Sequence, residues 1–134
     1  MKKNNTVDIS ENDISRLVYE AGYHVHKALG PGLLESAYEE CLFYELNKHD
    51  ILVERQKPMP LMYEEVKLDI GYRLDFLIEK KFVLEIKSIE SLNDIHLAQI
   101  LTYLRLSNCK LGMLINFNTI QFKNGVKRVI NGIL

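Results

Sequence analysis

The sequence predicts an α/β fold, a mixed central sheet flanked on both sides by helices. Three observations predict it. Residues 10–49 carry apolar side chains at helical spacing, interrupted once by Gly30-Pro31-Gly32. Residues 74–78 and 82–86 are short β-prone runs, apolar on both faces apart from Asp75 and Glu85, as expected of strands covered from two sides. A further helical stretch then separates these runs from another apolar run at 109–117.

Taken in order, Ser10 or Asn12 can cap a first helix with Ile14, Leu17, Val18, Ala21, Val25 and Leu29 on its apolar stripe. Gly30-Pro31-Gly32 ends it and turns the chain into a second helix expected over about 33–49. Glu35, Glu39, Leu42 and Leu46 share one face of that helix, so Glu35 is a carboxylate at the head of a stripe that becomes apolar. An acidic residue in a first turn also complements the helix dipole without any further role. Residues 51–56 and 61–68 read as two strands punctuated by Pro58 and Pro60, with Asp69-Ile70-Gly71 leading into the central hairpin. Asn93 or Asp94 can cap a helix reaching about Leu106, apolar at Leu97, Ile100, Leu101 and Leu104, with His96, Gln99 and Tyr103 along another line. A buried strand at 109–117 and a closing hairpin at Asn124-Gly125 complete the series.

The central hairpin carries the chemistry. With a three-residue loop at 79–81, Asp75 falls opposite Glu85, and Lys87 follows Glu85 on the same face because strand side chains alternate. A two-residue loop would separate them. Two carboxylates and an ammonium at one place suit Mg²⁺, which prefers oxygen ligands, keeps waters and commonly takes one or two carboxylates plus a substrate phosphate. The same three residues also suit a cross-strand salt bridge.

Asp75, nine intervening residues and then Glu85-Ile86-Lys87 resemble the D…(D/E)xK signature of the PD-(D/E)XK nuclease superfamily, with Leu74 where the family name has proline. Gly32-Leu33-Leu34-Glu35-Ser36-Ala37-Tyr38 resembles the motif that names the GxxExxY family of that superfamily. Gln99-x-x-x-Tyr103 is similar to the QxxxY motif of one exonuclease-rich branch. The resemblance implies a restriction-endonuclease-like core. It also implies that Asp75 and Glu85 bind Mg²⁺ or Mn²⁺ with a backbone carbonyl from Ile86, that Lys87 assists the nucleophile, and that Glu35 completes the acidic cluster. Gln99 and Tyr103 would contact substrate.

The implied activity is phosphodiester hydrolysis on DNA or RNA. A second class stays open, a non-catalytic module that binds a partner or nucleic acid through an inherited nuclease fold. At 134 residues, 47% hydrophobic, the chain is expected to form one domain over 1–134. A net charge of −1 gives no global field to attract nucleic acid, so any phosphate contact must be local. Lysines 80, 81, 123 and 127 and Arg128 are candidates for such contact, with solvated charge as the ordinary role. Cys41 and Cys109 lack a zinc spacing and read as reduced thiols. The polar start at 1–5 and the lack of a membrane-length apolar run predict a soluble cytoplasmic protein, and a homodimer is left open. His24 and His26, two apart on a helix, do not share a face and so do not form a two-His metal site.

Overall fold

The computed structural model describes residues 8–134; the polar stretch at 1–5 lies outside the described residues. The chain runs α1 (Glu11–Leu29), α2 (Glu35–Leu46), β1 (Val53–Tyr63), β2 (Val66–Ile78), β3 (Phe82–Lys87), α3 (Asp94–Ser107), β4 (Leu111–Asn116), a 3-10 turn (Phe122–Gly125) and β5 (Val126–Ile130). The five strands form one sheet in the order β1-β2-β3-β4-β5. Only β3 and β4 are parallel, joined across α3, and the other three pairings are antiparallel.

Side-chain alternation sends the two faces of the sheet to different helices. Phe76, Ile78, Phe82, Leu84, Ile86, Leu111, Met113 and Ile115 pack with Ile14, Val18, Val25, Tyr38 and Leu42 of α1 and α2. Leu77, Val83 and Leu114 pack with Ile100, Tyr103 and Leu104 of α3. The approach of α3 depends on Gly112, since a Cβ there would stand 2.9 Å from the Val83 carbonyl oxygen and 3.1 Å from Leu104.

Both ends of α1 are set locally. The Ser10 hydroxyl accepts from the Asp13 amide, and Gly30 closes the helix at φ +69°. The second helix starts later than its pattern suggests, at Glu35, and stops at Leu46. Leu34 is its N-cap without a side-chain cap, and Gly32, at φ +101°, occupies the turn before it. The prolines do not divide two strands. Pro58 and Pro60 both lie within β1, whose position at the sheet edge tolerates residues that cannot donate to a ladder. The turn falls instead at Glu64-Glu65, so the segment expected as a strand over 61–68 is the tip of a long β1–β2 ribbon. Asn124-Gly125 closes a 3-10 turn rather than a two-residue hairpin.

Candidate active site

The central hairpin has the three-residue loop, with Ile78 paired to Phe82 and Phe76 to Leu84. Continuing that register brings Asp75 level with Glu85. The β2–β3 ladder ends at this point, and β2 continues outward with β1 alone. Across the opening, backbone amides donate to the two acidic side chains rather than to carbonyls of the facing strand. The Asp75 amide donates to Glu85 Oε2 at 2.8 Å, and the Ile86 amide donates to Asp75 Oδ2 at 2.9 Å. Both carboxylates therefore turn into the gap between the strands. The N–H and C=O of a strand residue leave the chain on the same side, so the Ile86 carbonyl faces the gap as well.

The environment is short of positive charge. Glu85 is only 4% exposed. Its carboxyl is pushed up to about 8, first by burial and then by the charge of Asp75. Burial also raises Asp75, against the lowering influence of the Ile86 amide and of Lys87. Glu35, at the first position of α2, is raised by partial desolvation and then by Asp75, with Lys87 opposing. Glu35 thus stands within electrostatic reach of the pair, although among the described residues it makes no hydrogen bond to either. Lys87 extends toward Gln99 on α3, with 3.5 Å between Nζ and Oε1, a long contact.

Tyr103, one turn beyond Gln99, is nearly buried, and its hydroxyl is raised by desolvation and by the charges of Glu85 and Asp75. The fold thus gathers Glu35, Asp75, Glu85, Lys87, Gln99 and Tyr103 around the mouth of one opened hairpin. Tyr38, by contrast, works on the backbone. Its ring stacks on Phe117 at 4.5 Å, and its hydroxyl accepts from the Leu33 amide and donates to the Gly30 carbonyl. It fixes the glycine turn from which Glu35 projects.

Gln56 and Glu39 belong to the same neighbourhood and carry no motif. The Gln56 amide donates to Glu39 at 2.8 Å and reaches Asp75 at 3.4 Å. Gln56 adopts φ +52° inside a strand, a strained conformation costing on the order of 1 kcal/mol. The histidines have other work: His26 bonds the Thr119 carbonyl, and His96 accepts the Asn93 amide in the capping box of α3. Lys80 pairs with Glu54, Lys81 binds the Ile9 carbonyl and Arg128 binds Asn12.

The donor set fits a hard divalent cation. A buried acid pair with one lysine beside it lacks counter-charge, and two carboxylates with a backbone carbonyl offer oxygen ligands only. Among the described residues no three His, Cys, Asp or Glu side chains stand together as a metal cage.

A mixed sheet covered by helices on both faces, with an acid, acid and lysine set at an opened central hairpin, defines the class as a nuclease-like α/β core. The model of the PD-(D/E)XK nuclease superfamily matches residues 12–129, and the chain belongs to that superfamily. Comparisons with curated proteins and with solved structures returned no match. Among the described residues no helix is long and apolar enough to cross a membrane.

Proposed function

We propose that this chain is a nuclease of the GxxExxY group, dependent on Mg²⁺ or Mn²⁺, that hydrolyses phosphodiester bonds of DNA or RNA in the cytoplasm. The observation that carries the reading is the uncompensated acid pair, Asp75 and Glu85 hydrogen-bonded across the point where β2 leaves β3, with a carboxyl pushed up to about 8. A cross-strand salt bridge does not account for it, because the acids bond backbone amides and Lys87 turns toward Gln99. A carboxyl held up in this way ionises only at a cost in stability, and a bound cation would supply the counter-charge that ionisation needs.

Asp75, Glu85 and the Ile86 carbonyl would hold the cation, which when bound supplies Lewis-acid polarisation of a phosphate oxygen and a more acidic water. The chain's own groups do the rest. Lys87 offsets negative charge developing on the phosphorane and positions the attacking water. Gln99 holds the Lys87 ammonium toward the substrate side. Glu35 contributes a third carboxylate at the mouth, and the Gly32 turn with the Tyr38 anchor keeps it there.

The test is cleavage of single- and double-stranded DNA and RNA by wild type and Asp75→Asn, with Mg²⁺, Mn²⁺ or chelator, alongside calorimetric titration of each metal. Wild type should bind metal and cut at least one substrate, and Asp75→Asn should lose cleavage and weaken metal binding while staying folded. Wild-type protein that binds neither ion and cuts nothing, with Asp75→Asn merely altered in melting, would replace this reading with the inherited-fold module.

A further inference from the structure

Beside the acid pair, the β1–β2 ribbon and helix α3 form a half-open cavity of about 250 Å³ lined by Leu61, Tyr72, Gln99, Thr102, Tyr103 and Leu106. Cross-strand partners share a face, and Met59 pairs with Tyr72 and Leu61 with Leu68. The ribbon therefore turns an apolar face toward α3, and Met59 packs there against the core. Tyr72 remains 42% exposed, with its ring centre 6.3 Å from that of Tyr103 and tilted by 58°. The two rings form adjoining walls rather than a closed stack. The cavity adjoins the acid and lysine cluster, because Gln99 lines it and also faces Lys87.

We propose that this cavity receives one unpaired nucleobase next to the scissile phosphate, so that the substrate is single-stranded nucleic acid and Tyr72 is a specificity-determining residue. The inference rests on the nuclease reading and deepens it. Charge is the first argument. With 17 basic and 18 acidic residues, and several lysines already bound to the chain's own oxygens, few phosphates can be neutralised, so counterion release gives little affinity for a duplex. Base stacking needs no net charge, and one aromatic contact is worth roughly tenfold in affinity.

Size is the second argument. The space lies just below the range of drug-sized sites and suits a single ring system. Its walls are largely apolar and aromatic; the Gln99 amide can donate or accept at a base edge, and the Thr102 hydroxyl, which donates to the Ala98 carbonyl, can still accept there. A duplex would have to extrude a base to fill it, whereas a single strand presents one already free.

The test measures binding without cutting, in an Asp75→Asn background with Mg²⁺, by fluorescence anisotropy of labelled oligonucleotides. Single strands of DNA and of RNA should bind at least tenfold more tightly than a blunt duplex of the same sequence, and the two arms tell which sugar is preferred. Tyr72→Ala should remove about tenfold from single-strand binding and nothing from duplex binding, and Tyr72→Phe should restore it. A single strand lacking bases should bind wild-type Tyr72 and Tyr72→Ala alike, which reports on the base site even if one variant folds poorly. Equal or tighter duplex binding, or Tyr72→Ala indistinguishable from its parent, overturns the proposal. Duplex cleavage by wild type together with an inert Tyr72 sinks the base site and keeps the nuclease. The expected Tyr72 pattern in a protein that cuts nothing does the reverse.

Discussion

Glu54 on β1 and Glu85 on β3 lie in the same sheet and are treated in opposite ways. Glu54 pairs with Lys57 at 2.9 Å and Lys80 at 3.3 Å, and those partners hold its carboxyl below the usual range. Glu85 is buried beside a second acid and is pushed up to about 8. Two ammonium groups serve one partly exposed acid, whereas Lys87 alone is close to a buried pair. Acids that serve the fold are neutralised where they stand, and acids left short of counter-charge inside a hairpin point to a ligand absent from the chain itself.

The sharpest way to break this comparison is to remove one lysine from each group. Lys87→Ala should lower metal-dependent cleavage by about 10²-fold or more while sparing metal affinity, if the ammonium stabilises charge on the phosphorane. Lys57→Ala should leave cleavage unchanged. Single-turnover rates at saturating metal, with calorimetric titration of each variant, provide the check. Equal losses from both lysines would reduce the difference between the groups to general electrostatics.

The next effect is on stability, and its sign follows from the direction of the Glu85 shift. A carboxyl whose folded value lies above its unfolded value of 4.5 adds stability in the protonated form. That stability is complete below the unfolded value and is lost as pH rises toward about 8. The metal-free protein should therefore lose on the order of a few kcal/mol between about pH 5 and pH 8 from this site. Glu85→Gln should flatten the slope, and so should Mn²⁺, which binds the ionised form. Thermal melts across the range, with and without metal, decide it. A slope unchanged in Glu85→Gln would mean that the pair does not carry the strain.

Much of this contrast was legible in the sequence, because the signals were local. The period of α1, its Ser10 cap and the Gly30-Pro31-Gly32 stop all lie within a few residues of what they control. The three charged residues between apolar runs marked the hairpin and left a two- or a three-residue loop, and the pairing of Ile78 with Phe82 selects the latter. The ribbon was hidden because Pro58 and Pro60 punctuate only when a strand has neighbours on both sides, and β1 has one. The start of α2 was placed too early because Leu33 and Leu34 fit a helical pattern, whereas the turn held by Tyr38 keeps them outside it. Gln56 carried no signal, since a glutamine in a strand has neither periodicity nor a motif, and no neighbouring residue type calls for its left-handed backbone. His96 had a capping signature available, Asn93 three residues before it, and it serves the helix end rather than the site.

The smallest effect belongs to the neutralised acid. A carboxyl held below its unfolded value adds stability that is present above about pH 4.5 and is lost as pH falls through the folded value, the opposite sense to Glu85. The Glu54 side chain and its lysines are partly open to solvent, so water screens the pairs and each is worth about 1 kcal/mol or less. Glu54→Gln should therefore lower the melting temperature at pH 7 by about 2–4 °C at low salt. The difference should shrink in about 1 M salt, where the screening length is close to 3 Å. It should also vanish on the acid side, where wild type and variant carry the same charge. Cleavage and metal affinity should not change. A Glu54→Gln protein that melts several degrees lower in high salt as well would show that Glu54 supports the ribbon by packing or hydrogen bonding. Its difference from Glu85 would then be one of burial, with counter-charge playing no part.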